Sequence, residues 1–487
     1  MSVQVTVSLL SGKTVSIDVD STSSVGELRK DAQSQLGIGS SRLMRAGPEE
    51  LRDAMTVQEA GLVNGDELQL IRKQLEISSR RGSAGFALLK SDGSVVTWGG
   101  RFGASDSSAV QGQLQNVQKV QASCASFAAL LDDGSVVTWG RAVDGGDSSQ
   151  VQHQLKGVRK IQAFDCAFAA IRDDGFVVTW GDPSVGGDSS HVQHQLKDVR
   201  QIQASLHALA ALLGDGSVVT WGDPDRGGDS SRVRHQLMHV IELQAAYNAF
   251  AALLADGSVV AWGDRELGGD SSSVHDRLKD VKQIQACSGA FAAILSDGSV
   301  VAWGEPENGG DTSAVQHQLK GVQQIQASFI AFAAILETGA VVTWGDPESG
   351  GDSSAVRSEL TDVQQIQASK KAFAAIRGDG CVVTWGQADF GGDSSSVRSQ
   401  LQKVQQVQAA DAAFAALLAD GSVVTWGDLA RGGDSSYVQH KLRDVRCIQA
   451  STAAFAALLA DGSVVSWGDP WAGGDSSLIY GEWETPM

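Results

Sequence analysis

Residues 250–263 read F-A-A-L-L-A-D-G-S-V-V-A-W-G, and the architecture follows from them. Two short apolar runs, 250–254 and 259–262, flank Asp256-Gly257. Asp-Gly between such runs is the strongest short hairpin signal, and it predicts a turn whose two central residues both take positive φ. The closing V-V-x-W-G motif recurs at Trp98, Trp139, Trp180, Trp221, Trp262, Trp303, Trp344, Trp385, Trp426 and Trp467. The spacing is 41 residues every time, without one insertion or deletion. A fixed period of this length means a repeat architecture in which each unit buries its apolar surface against its neighbours.

Each unit predicts three strands: an I-Q-A segment such as 325–327, a middle F-A-A-L-L run, and V-V-T-W. Both faces of these strands are apolar or small, so each small sheet is expected to be covered on both sides, as in stacked propeller blades. Nine units carry Asp-Gly at the hairpin and the tenth carries Thr338-Gly339. After Trp-Gly comes a loop and then G-G-D-S-S, where Asp147, Asp188 and their equivalents are expected to N-cap a short helical turn. Val151 with Leu155, and Val192 with Leu196, then share the inward face of that turn. One carboxylate per unit is a poor calcium cage, since that ion takes 6–8 oxygens.

With D-G-x-V-x-x-W-G at its centre, the unit resembles the repeat of the regulator-of-chromosome-condensation family. That family's usual repeat is longer and makes four-stranded blades. The 41-residue unit looks more like the shorter, three-stranded blades of a bacterial β-lactamase inhibitory protein of the same propeller type. The resemblance covers residues 86–475 and implies an all-β propeller of ten repeats, closed into a ring, with an open spiral as the alternative. Only nine first strands are evident, because residues 79–81 lack an apolar pair. Leu75 and Ile77 supply the missing one if the register shifts.

Residues 1–73 lack the repeat. Val3, Val5 and Val7 alternate, Ser11-Gly12 turns, and Val15, Ile17 and Val19 alternate back, which predicts a hairpin. A helix is expected after Ser23-Ser24, through Val25, Leu28, Ala32 and Leu36. Arg42-Leu43-Met44, a Gly47 turn and a strand over 67–71 follow. The order ββαββ, with L-S-G-K-T-V-S-I-D-V and N-G-D-E-L-Q-L-I, resembles ubiquitin, an α+β (β-grasp) fold. The resemblance implies an exposed apolar patch at Leu10, Met44 and Ile71 that binds ubiquitin-binding domains or the proteasome. The conjugating Gly-Gly tail has no counterpart in Ile71-Arg72-Lys73-Gln74-Leu75-Glu76, so a fixed, unprocessed module is expected. Residues 74–85 read as a linker or partial strand, and 476–487 as a tail.

The formal charge is −19, from 57 acids against 38 bases, which argues against a phosphate-binding surface; no nucleic-acid partner is expected. The alternating N-terminus has no basic leader, and no apolar run approaches a bilayer span, so neither secretion nor membrane association is expected. Cys124, Cys166, Cys287, Cys381 and Cys447 form no C-x-x-C pair, so neither a disulfide framework nor a metal site is expected. This points to the cytoplasm, with the nucleus as the alternative. Ser11-Gly12-Lys13-Thr14 lacks the leading glycine of a P-loop. His153, His194, His235, His317 and His440 are one repeated position, and no triad is evident. No cofactor and no enzymatic activity are expected.

Of the 56 glycines, 38 fall in the hairpin turns, after Trp and in the G-G pairs; ten Asp at cap positions and nine in the turns match the net charge. Glycine and acidity are therefore turn chemistry multiplied by ten.

Against this uniformity two windows vary. One follows W-G-D-P, as at Arg226, Phe390 and Trp471; the other joins the first two strands, as at His207, Tyr247, Phe329, Lys370 and Lys371. In an up-and-down blade both reach one face, opposite the uniform Asp-Gly turns. Aromatic and cationic anchors dominate interfaces, so this face reads as a surface for a protein partner. The expectation is a non-enzymatic scaffold or adaptor in the ubiquitin pathway. Regulation of a small GTPase by nucleotide exchange, or inhibition of a hydrolase, are the alternatives implied by the resemblances.

Overall fold

The computed structural model describes residues 2–9, 11–37, 41–45, 51, 53, 55–72, 75–80, 82–83, 85–100 and 103–477. Leu10, the Gly47 turn and the tail from Leu478 lie outside the described residues.

Near the N-terminus, β1 (Ser2–Leu9) and β2 (Thr14–Asp20) form an antiparallel hairpin. Helix α1 (Val25–Leu36) follows, then β3 (Ser41–Arg45) and β4 (Glu67–Arg72). The sheet order is β2-β1-β4-β3, with β1 and β4 parallel. Alternation sends Val5, Val7, Ile17 and Val19 to one side, where Leu28, Ala32 and Leu36 of α1 meet Leu43, Leu68 and Leu70 in one core. Ser24 Oγ accepts the Glu27 N–H while the Glu27 carboxylate accepts the Ser24 N–H, a reciprocal cap, and Gly37 ends the helix at φ 67°. This mixed sheet with one helix is compatible with a ubiquitin-like fold.

The remainder is built of ten three-stranded antiparallel sheets, each with an inner, a middle and an outer strand. In the fifth unit these are Val240–Ala245, Ala249–Leu254 and Val259–Gly263. The hairpin differs from the sequence expectation: Gly257 has φ 80°, but no Asp of these turns has a positive φ among the described residues. Gly257 N–H bonds to Leu254 O, and Leu254 N–H to Ser258 O, which is a type I turn closed by a left-handed glycine. Asp256 Oδ1 accepts the Ser258 N–H at 2.9 Å and its hydroxyl at 2.6 Å, so the aspartate serves the turn through its side chain.

The helical-turn cap is also corrected. Asp147 Oδ1 accepts the Ser149 N–H (2.8 Å), closing an Asx turn, while the 3-10 helix begins later, at Gln152–Gln154. Leu155, Val192 and Leu196 are buried, as their spacing predicts, and Val151 is half-buried. Ser148 is buried as well. Its hydroxyl meets Thr138 Oγ1 (2.9 Å) and donates to Gln152 Oε1 (2.8 Å), and Gln152 Nε2 donates to Val136 O.

Alternate residues of each middle strand serve two different cores. In the fifth unit Phe250 and Ala252 pack with the fourth unit, around Leu237 and Leu243. Ala251 and Leu253 pack instead with Phe291 and Trp303 of the sixth. Nine of the ten outer-strand Trp residues stack on the Phe of their own middle strand, as Trp262 does on Phe250 at 5.3 Å, and in the fourth unit Leu209 stands opposite Trp221 instead. The first unit has the short inner strand Glu76–Ser78, with Ile77 opposite Leu88, two residues ahead of the regular register. A shift of two keeps side-chain parity, so Ile77 still points into a core. That core joins Ile77, Phe86, Leu88 and Trp98 of the first unit to Ala454, Ala456, Leu458 and Val464 of the tenth.

Candidate functional site

The segments joining inner to middle strands meet around one cavity. Its lining draws on all ten units, from Ile77 and Val120 through Phe164 and Tyr247 to Lys370, Asp411 and Gln449, and its volume is about 920 Å³. At its mouth, residues 41 apart are tied by backbone bonds, each N–H to the carbonyl of the next unit. The links run without a break from Leu206 through Tyr247, Ser288, Phe329, Lys370, Asp411 and Thr452, and then to Ser83 of the first unit. An isolated link joins Cys124 N–H to Asp165 O, whereas Ser83 N–H turns back to Arg80 O.

The side chains on this belt differ from unit to unit. Tyr247 and Phe329 meet edge to face at 5.1 Å, above the small Ser288 that separates them. Lys370 Nζ lies 2.6 Å from the buried Asp411 carboxylate of the next unit, so this cation is already paired. Lys371 sits over the Phe390 ring at 5.6 Å, and Phe390 itself packs against a core. Burial, followed by the nearby Arg226, holds His207 below the usual histidine range. Arg226 is paired with Asp223 at 3.5 Å. Trp471 is 60 % exposed, and its carbonyl accepts the Gly100 N–H.

Both variable windows do reach one end of the sheets. Ser369 Oγ donates to Phe390 O (2.7 Å), and Ser451 Oγ to Ala472 O (2.8 Å), bridging the windows within a unit. The Asp-Gly turns lie at the far end of the middle strands, roughly 17–20 Å away for strands of this length. The N-terminal domain is held at that far end. Arg29 of α1, almost wholly buried, bonds Asp53 of its own domain and Asp132 of the second unit's turn (3.2 Å). A cavity of about 580 Å³ there is lined by Arg29, Arg42 and Asp53 from one side and by Asp132, Arg159, Lys160 and Arg200 from the other.

Strand alternation puts Met44 and Ile71 on the outer face of the N-terminal sheet, since Leu43 and Leu70 face the core. Both are half-buried rather than open. Ile71 lies opposite Arg42, which is on the edge facing the repeats.

Sequence reasoning named Cys124 and Cys166 but assigned them no site, and it did not connect Asp165 and Arg80 with them. Cys124 Sγ and Cys166 Sγ lie 3.1 Å apart, and the Asp165 carboxylate completes a cluster whose ligand atoms all fall within 4.8 Å. Arg80 lies beside them, half-buried. Burial pulls it below its ordinary value, while Asp165, Cys124 and Cys166 oppose the shift. The signal was a spacing of 42 in a period of 41: the two cysteines are one residue out of phase, and that offset brings them face to face across a unit boundary.

No family model matches the chain. No curated protein matches it either. Among solved structures the chain is similar to a ubiquitin of Caldiarchaeum subterraneum, at 20 % identity over 15 % of this chain and 96 % of that one, with a TM-score of 0.15. It is similar to a computationally designed protein, Ika8, at 15 % identity over 64 % of this chain and 96 % of that one, with a TM-score of 0.31. A third likeness is to yeast RCC1 (Prp20) bound to Kap60, at 16 % identity over 59 % of this chain and 84 % of that one, with a TM-score of 0.33. The architecture described above rests on its own hydrogen-bond ladders and cores. No described helix is long and apolar enough to cross a membrane.

Proposed function

We propose that this protein is a non-enzymatic interaction scaffold whose ten units close into a propeller and hold a protein partner on the variable face. The observation that carries the reading is the belt at the cavity mouth: a backbone that repeats the same bond over seven consecutive links presents different side chains from unit to unit, on the end of the sheets left open by the N-terminal domain. A uniform frame with a varied rim is what recognition of an asymmetric partner requires. The anchors are the exposed Tyr247 with Phe329, and Trp471; rigid aromatic side chains of this kind contribute most of the energy at interfaces. The paired Lys370 and the core-packed Phe390 act as framing. Ring closure is supported by the core shared between the tenth and first units and by the bond from Thr452 N–H to Ser83 O.

The N-terminal domain, through Met44 and Ile71, would dock to a ubiquitin-binding domain, placing the scaffold in the ubiquitin pathway in the cytoplasm. Two experiments test these parts separately. Partners captured by the full chain are purified and titrated against it and against Tyr247→Ser/Phe329→Ser; a loss of ten-fold or more supports the face, and unchanged affinity rejects it. Ubiquitin-binding domains are titrated against the full chain and Met44→Glu. Binding that this substitution does not weaken, or no binding at all, rejects the docking role.

A further inference from the structure

We propose that Cys124 and Cys166 form a reversible disulfide that staples the second unit to the third at the mouth of the cavity. The backbone bond from Cys124 N–H to Asp165 O (2.8 Å) already holds the two segments side by side, and the thiols lie 3.1 Å apart with both residues partly open to solvent. The separation is short for a metal pair: two thiolates on tetrahedral zinc, with Zn–S near 2.3 Å, stand roughly 3.8 Å apart. The cluster also offers three ligand atoms rather than four. The site is specific among the five cysteines. Cys287 is buried, with its thiol pushed up to about 11 by burial, and Cys381 and Cys447 have no sulfur partner among the described residues.

The staple falls where the ring frame is weakest. The continuous belt ends at Ser83, no belt bond joins Asp165 to Leu206, and the link from Cys124 to Asp165 stands alone between these two gaps. In the same region Trp139 Nε1 is buried without a partner, although nine other tryptophans donate to a carbonyl of the adjoining loop. A covalent link there replaces what the missing backbone bonds supply elsewhere.

The oxidant is a low-molecular-weight disulfide. The Cys166 thiol is pushed up by its hydrogen bond with Cys124, then by burial and the carboxylates of Asp165 and Asp144; both thiols are partly open, and the exchange is written with Cys124 attacking first. Deprotonated Cys124 attacks one sulfur of the small disulfide, whose S–S bond breaks, and the leaving thiolate takes up a proton. Cys166 then loses its proton and attacks Cys124 in the mixed disulfide, expelling the second small thiol. The protein gives up two hydrogens and two electrons, and the small disulfide is reduced to two thiols. Arg80 compensates the negative charge of the intermediate thiolates and of Asp165.

The test equilibrates the full chain in graded mixtures of reduced and oxidised glutathione, followed by alkylation and peptide mapping. Expected is one linked pair, Cys124 to Cys166, with Cys287, Cys381 and Cys447 still alkylated. The thermal midpoint of the oxidised chain should rise by roughly 5 °C over the reduced chain, and the difference should vanish in Cys166→Ser. Cys124→Ala repeats the control should Cys166→Ser fold poorly. Full alkylation of both cysteines in oxidised glutathione overturns the proposal. So does a stoichiometric metal ion released on thiol alkylation, which would make the cluster a metal site.

Discussion

Trp98 donates its indole N–H to the carbonyl of Gly473, 375 residues further along the chain, at 3.1 Å. Every regular indole bond spans 35 residues backward, as from Trp303 to Gly268. Trp98 has no residue of that kind before it, and the tenth unit's loop supplies the acceptor instead. Trp98→Phe should therefore cost as much stability as Trp303→Phe, about 1–3 kcal/mol for a buried carbonyl left unsatisfied. Denaturant unfolding of the two variants decides between ring and spiral. A harmless Trp98→Phe beside a costly Trp303→Phe would mean that the first and tenth units do not meet in solution.

A second prediction comes from the irregular loop between the first and second units. The glycine equivalent to Gly145 is Ala104, and that equivalent to Gly146 is Ser105. Gly145 has φ 95°, and a Cβ there would stand 2.6 Å from the Phe168 ring; Gly146 lies against the Gly140 carbonyl. Ala104 lacks the positive φ, and Trp139 Nε1 is the one indole donor among the ten repeats left without an acceptor. Ala104→Gly/Ser105→Gly should restore the bond and stabilise the chain by about 1 kcal/mol. The reciprocal change, Gly350→Ala, forces a left-handed alanine against Phe373 at 2.5 Å and should cost about 2–4 kcal/mol. Both are read from unfolding curves.

The repeated aspartates set an acid limit. The Ser two residues on holds the carboxylates of Asp147, Asp188, Asp229, Asp352 and Asp393 below the usual range, chiefly through its backbone N–H. Asp133, Asp215, Asp420 and Asp461 are lowered first by the serine hydroxyl. Asp270, bonded to Arg265, is taken down to about 2. A carboxyl lowered in the folded state contributes stability above its unfolded value near 4, and that contribution is lost as pH falls through the folded value. The thermal midpoint should be level from pH 7 to pH 5 and fall between about pH 4 and pH 2. A midpoint unchanged at pH 2.5 would mean that these turns contribute nothing.

Much of this was legible in the sequence because the repeat multiplies each signal by ten. Unit length, strand count, the common end reached by the two windows and the shifted Ile77 strand all follow from periodicity and alternation. The hairpin was misjudged because Asp-Gly admits two turn types, and the Ser that follows it satisfies the aspartate side chain in one of them. Asp147 was misjudged as a cap because an Asx turn and a helix cap share the same Asp-x-Ser pattern. Contacts that join separate parts of the chain left no local trace: Lys370 to Asp411, Cys124 to Cys166, and Arg29 to Asp132. Each depends on neighbours in space, which a single sequence shows only through phase.

The last of these contacts governs the N-terminal domain. Arg29 is shared between Asp53 and Asp132, which ties the domain to the turn of the second unit. Met44 and Ile71, on the sheet face whose edge carries Arg42, are half-buried while the domain is docked. Asp132→Ala removes the outer partner and leaves the Arg29–Asp53 pair, so the domain itself should stay folded. Backbone relaxation of residues 11–37 and 55–72 should then report faster, more independent tumbling than in the parent chain. If Met44 belongs to a working patch, affinity for a ubiquitin-binding domain should rise several-fold in Asp132→Ala and be lost in Asp132→Ala/Met44→Glu. Independent tumbling without any gain in affinity would show that docking does not cover the patch. Unchanged tumbling would show that Arg29–Asp132 is not the clamp.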